Sequence, residues 1–101
     1  MTYTIGWYNM AWTISLTDKV KKQVERLPKS VKGRLFALAK DIEANGPVRG
    51  NWPNYSKLNP GRHHCHIKKG KPCYVAVWEE RDREIKLIEV IYVGTHEKAP
   101  Y

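Results

Sequence analysis

The chain has 101 residues, enough to close one hydrophobic core over one sheet and too few for a second, so one domain over 1–101 is expected, with 1–10 as a candidate N-terminal extension. Lys and Arg number 18 against 10 Asp and Glu, and the net charge of +8 favours an anionic partner, nucleic acid or acidic protein, over a neutral metabolite. No stretch approaches the ~18 continuous apolar residues of a membrane span, and the N-terminus has no apolar core behind cations, so a soluble, unexported, cytoplasmic protein without a membrane partner is expected. Cys65 and Cys73, without a secretory signal, read as reduced thiols rather than a disulfide framework.

Trp12, Ile14 and Leu16 alternate with Thr13 and Ser15, which predicts a half-buried strand near Ala11–Leu16. Thr17 then caps a helix with Asp18 in its first turn, Val20, Val24 and Leu27 on one side and Lys19, Lys22 and Arg26 on the other. Pro28 interrupts this helix and suits the first turn of a second, whose apolar stripe is Val31, Leu35, Leu38, Ala39 and Ile42. Asn45-Gly46-Pro47 supplies a left-handed stop, and prolines and glycines keep Gly46–Gly61 mostly irregular, with room for short pairing near Tyr55–Leu58. From Arg62 the pattern predicts an antiparallel meander: Arg62–Ile67, a turn at Lys68–Lys71, Cys73–Trp78, a polar turn at Glu79–Arg83, and Ile85–Val93. The fold class is therefore α+β, an N-terminal strand, a helical hairpin and a meander, with the helices packed on one sheet face and the other left for function.

Alternation puts Arg62, His64 and His66 on one face of their strand and His63, Cys65 and Ile67 on the other. A hairpin closed by a two- or four-residue loop would set His66 opposite Cys73 and His64 opposite Val75. Histidines that move protons at neutral pH, set among cations that hold phosphates, are the equipment of metal-free RNA cleavage. His64, Cys65, His66, Cys73 and His96 are nominal zinc ligands, but His64 and Cys65 face opposite ways and no Cys-x-x-Cys knuckle is present, so no metal and no other cofactor is expected. Neither cysteine has a nucleophile's motif context, and no catalytic-serine motif occurs.

The order of elements, the Leu27-Pro28 hairpin, the stretch from Lys57-Leu58 to Arg62-His63-His64-Cys65-His66, and the ending Tyr92-Val93-Gly94-Thr95-His96-Glu97-Lys98 resemble the RelE/HigB/ParE superfamily of bacterial toxin–antitoxin toxins. The resemblance covers about Ala11 to Tyr101 and is nearest to the RelE/HigB-like branch. It implies a ribosome-dependent mRNA interferase neutralised by a cognate antitoxin. Its Val-Gly-x-basic-Glu pattern falls on Val93, Gly94, His96 and Glu97, so His96 takes the basic position after the last strand, Tyr101 the C-terminal tyrosine, and Lys57 and Arg62 the lysine-leucine and arginine of the middle strands. His64 and His66 stand where that family more often has arginine.

Chemistry and resemblance together lead to the expectation of a metal-independent endoribonuclease acting on mRNA, with the ribosome and an antitoxin as partners. His64 or His66 is assigned as base and His96 or Tyr101 as acid, with Arg62, Lys57, Lys68 and Lys98 as phosphate-binding cations. The alternatives are a ParE-like protein that inhibits DNA gyrase without catalysis, and a catalytically degenerate antitoxin-binding protein. Clustered histidines favour the nuclease, because a binding inhibitor has no use for proton-transfer groups.

Overall fold

The computed structural model describes residues 12–58, 61–82 and 86–100. The segment Met1–Met10, Ala11 at the head of the expected first strand, Ile85 at the head of the expected last one, and Tyr101 lie outside the described residues.

Strand β1, Thr13–Leu16, sends Ile14 and Leu16 against the core, as alternation requires. Helix α1, Asp18–Glu25, starts where the Thr17 hydroxyl accepts the Val20 N–H at 3.0 Å, a cap that stabilises by about 1 kcal/mol. Pro28 is the residue before helix α2, Lys29–Asn45, one position earlier than the first turn expected for it. Val31, Leu35, Leu38 and Ile42 are buried along α2. Ala39, the fifth of the expected stripe, is half-buried. Gly46 ends the helix at φ 93°, its N–H bonded to the Ile42 carbonyl at 2.8 Å. Only glycine adopts that angle cheaply, and a Cβ there would also press on the Trp12 indole at 3.2 Å.

The irregular segment after Gly46 is held by one carboxylate. Asp41 accepts bonds from Asn45, Arg49, Asn51 and Trp52, at 2.8 to 3.0 Å. These bonds, that from Asn51 foremost, hold its carboxyl far below the usual carboxylate range. Pro47 is tied to the sheet through its carbonyl, which accepts the Trp78 indole N–H at 2.9 Å.

The remaining strands are β2 (Ser56–Lys57), β3 (Arg62–Lys68), β4 (Tyr74–Asp82) and β5 (Leu87–Thr95). The sheet runs β1-β5-β4-β3-β2, with β1 parallel to β5 and all other pairs antiparallel. The meander is thus present, with one short strand added at each edge. The polar turn expected at Glu79–Arg83 is instead strand through Asp82. Its charged residues find partners across the sheet and along the strand: Glu79 pairs with Arg62 of β3 and with Arg81 of its own strand, and Arg81 also reaches Glu89 of β5. A run of charges therefore reads as a turn in sequence yet lies as a strand on an open face.

Both helices pack on one face of the sheet. Their stripes meet Cys65 and Ile67 of β3, Ala76 and Trp78 of β4, and Ile88, Val90 and Val93 of β5. Burial pushes the Cys65 thiol up to about 12, so it behaves as an inert apolar filler. The opposite face carries a smaller cluster of Val75, Val77 and Tyr92, and the chain leaves β5 in a 3-10 turn, His96–Lys98.

Candidate active site

The β3–β4 register sets the site. His63 lies opposite Trp78, His64 opposite Val77 and His66 opposite Val75, two residues further along β4 than the short-loop hairpin predicts. The reason is the connection, which runs from Lys69 to Cys73, together with a bulge between His66 and Lys68. Val75 is in turn paired with Gly94 on β5, and the His96 N–H bonds to the Cys73 carbonyl at 2.9 Å. Two strand pairings thus bring a residue 30 positions away onto the histidine row. The His64 and His66 ring centroids are 6.2 Å apart and those of His66 and His96 5.4 Å, both edge to face. The Cys73 thiol sits 3.4 Å from His66 Nδ1.

Burial, with the neighbouring charges, weakens the proton affinity of His64 and His66. His64 is held below the ordinary histidine value, first by burial and also by the neighbouring His96, with a backbone bond to Ser56 opposing. His66 is lowered by burial, then by His96, His64 and Lys69. Both imidazoles are therefore neutral at pH 7 and ready to accept a proton. Gly94 makes room for the turn that presents His96: the Tyr92 hydroxyl donates to the Thr95 carbonyl at 2.7 Å, and a Cβ on Gly94 would lie 2.7 Å from that hydroxyl.

Arg62 shares this face at the far end of β3, its Nε 2.7 Å from Glu79. The guanidinium, beside it with that of Arg81, keeps Glu79 ionised to lower pH than usual. The other expected cations are placed differently. Lys57 pairs with His63, and directly opposed residues share a face, so it lies on the helix side of the sheet rather than with His64. Lys68 ends β3 exposed, paired with Tyr74, and borders a shallow groove with Arg34, Pro53 and His66. Lys98 lines a separate groove with Lys19, Gln23, Arg26 and Tyr92, so the cationic side of α1 neighbours one of the expected phosphate-binding lysines. Tyr101 lies outside the described residues. Ser56, which nothing in the sequence singles out, stands beside His64, its hydroxyl 3.0 Å from Nδ1.

His63 turns the other way. Its Nε2 is 2.7 Å from a Glu80 carboxylate oxygen and its Nδ1 2.6 Å from the Tyr55 hydroxyl, and the ring stacks on Trp78 at 5.9 Å and 9°. It is a fully buried core histidine with both nitrogens engaged.

No family model matches the chain, and no curated protein does. Among solved structures it is similar to a mutant E. coli toxin RelE in the free state, at 21% identity over 89% of this chain and 88% of that one, with a TM-score of 0.70. A chain of the archaeal RelE–RelB complex from Pyrococcus horikoshii OT3 aligns at 14% identity over 89% of this chain and all of its own, TM-score 0.67. One from the YoeB–YefM complex of Staphylococcus aureus aligns at 16% over 84% and 97%, TM-score 0.63. The chain has the fold of the RelE and YoeB toxins.

Proposed function

We propose that the protein is the toxin of a toxin–antitoxin pair and cleaves RNA without a metal ion. The observation that carries this reading is the row His64, His66 and His96 on the sheet face opposite the helices, with Arg62 on the same face. The RNA 2′-oxygen attacks the adjacent phosphorus while His64 or His66 takes its proton. The bond to the 5′-oxygen breaks, and His96 or Tyr101 protonates that leaving oxygen, giving a cyclic phosphate and a 5′-hydroxyl. Arg62 stabilises the charge that develops on the phosphorane-like oxygens. Lys68 and Lys98, on the flanks, steer the RNA backbone, and Lys57 does so from the sheet edge.

The substrate is mRNA on the ribosome, in the cytoplasm, and the partner is an acidic antitoxin that covers the cationic surface, since complementary charge speeds capture. Relatives in fold occur in complexes with RelB and YefM, which supports such a partner. Primer extension on cellular mRNA after brief induction, beside a gyrase supercoiling assay, tests the reading. New 5′ ends with unimpaired supercoiling are expected, and protein exhaustively chelated before it is added to ribosomes should cleave as well. Intact transcripts with blocked supercoiling would replace the nuclease by a gyrase inhibitor.

A further inference from the structure

The two histidines of β3 on the open face are held differently. His66 Nδ1 has a thiol at 3.4 Å, a weak partner that leaves either tautomer open. His64 Nδ1 has two oxygens of one residue: the Ser56 hydroxyl at 3.0 Å and the Ser56 carbonyl at 3.4 Å. A carbonyl oxygen has no proton to give, so its bond to His64 puts the proton on Nδ1, and the hydroxyl then accepts the same N–H. The lone pair of the neutral ring consequently sits on Nε2.

Ser56 is itself fixed. It pairs with His64 across β2 and β3, and its neighbour Tyr55 is bonded to the buried His63, so the strand that carries the hydroxyl is pinned from the opposite sheet face. The residue is exposed.

We propose that Ser56 is a positioning residue that holds His64 in the Nδ1–H tautomer, so that Nε2 is the nitrogen that takes the 2′-hydroxyl proton. The inference rests on the nuclease reading for its catalytic half, and on geometry alone for its tautomer half. It singles out His64 over His66 as the base, because a base whose lone pair is already on the reacting nitrogen needs no proton shift before it acts.

The test combines ring-nitrogen NMR of His64, recorded at a pH above its titration, with cleavage of RNA on programmed ribosomes, for the unaltered protein, Ser56→Ala and Ser56→Thr. In the unaltered protein the proton is expected on Nδ1. Ser56→Ala keeps the carbonyl but loses the nearer acceptor. The Nε2–H form should therefore gain population, and kcat should fall about tenfold with KM unchanged, because only the fraction of His64 with its lone pair on Nε2 then acts as base. Ser56→Thr restores the hydroxyl and should recover both. The acid limb of the rate profile should also move to lower pH in Ser56→Ala, since an accepting oxygen favours the protonated ring, while His66 and His96, the titratable groups facing His64, are unchanged. A proton on Nε2 in the unaltered protein overturns the proposal, and a tautomer that does not move in Ser56→Ala overturns the role of the hydroxyl, leaving the carbonyl to hold the ring. A shifted tautomer with unaltered kcat overturns its catalytic half, and full cleavage by His64→Ala overturns the nuclease assignment at His64 instead.

Discussion

His63 and His64 are consecutive in the chain and occupy opposite environments. On the helix side His63 is enclosed, stacked on Trp78, and bonded at both nitrogens to Tyr55 and Glu80. His63 meets the Glu80 carboxylate through Nε2 and the Tyr55 hydroxyl through Nδ1, whereas His64 meets the two Ser56 oxygens through Nδ1. One step along a strand thus separates a histidine that closes a structural network from one set in a row of three imidazoles. Residue type alone does not make a functional histidine. The face it points to, and what the neighbouring strands put there, decide.

The comparison breaks most visibly at His63. His63→Ala leaves Glu80 and Tyr55 without their central partner and opens a hole against Trp78, so stability should fall by about 3 kcal/mol, or about 15 °C in Tm. Calorimetry that finds no larger loss than in His64→Ala would remove the structural role given to His63.

On the open face the cost should appear in rate instead. Alanine at His64, His66 or His96 should lower cleavage by about 10²-fold with the protein still folded, because acid–base groups act in the transition state. Full activity in all three variants would return the row to mere packing. Arg62→Ala should lower RNA affinity and kcat together by roughly tenfold, since a cation attracts the ground-state phosphate and the developing charge alike. An effect on binding alone would place Arg62 outside the reacting centre.

Smaller effects sharpen the same contrast. Gly94→Ala drives a Cβ into the Tyr92 hydroxyl and loosens the turn that presents His96, so it should cost about 1 kcal/mol in stability and several-fold in cleavage. Unchanged cleavage would separate that turn from His96 function. The folded His64 and His66 titrate below the ordinary histidine value of 6.5, so near and below that pH the unfolded chain binds protons that the fold does not. Their contribution to stability is complete above pH 6.5 and is lost as pH falls from there through their folded values. Asp41 and Glu79, also lowered, lose theirs only further down, through the carboxylate range near pH 4. Melting curves between about pH 7.5 and 5.5 should show a modest decline that His64→Gln reduces. A flat profile in the unaltered protein would deny that His64 and His66 are held neutral.

Local chemistry made much of this legible. The Thr17 cap, the α2 stripe, the Gly46 stop and the alternation of β3 follow from spacing and backbone preference, and each stands where expected. The hairpin register did not follow, because a five-residue connection and a bulge are selected by how β3 and β4 pack, not by the residues at the tip. The β2–β3 pairing sent Lys57 to the His63 side, though nothing in Lys57-Leu58 distinguishes the two faces. Ser56 was invisible for a related reason. A serine has no signature as a histidine's partner until a second strand is laid beside it.

The sequence by itself determined the α+β class, the two helices and their core stripes, and the division of Arg62–Ile67 between two faces. These depend on turn chemistry and on periods of 3.6 and 2, which neighbouring residues carry. The tertiary structure alone decided that His96 joins His64 and His66, that Glu79 meets Arg62, and that Ser56 holds His64 Nδ1. Those contacts join residues 8 to 30 positions apart, and only the pairing register of a folded sheet can set such distances.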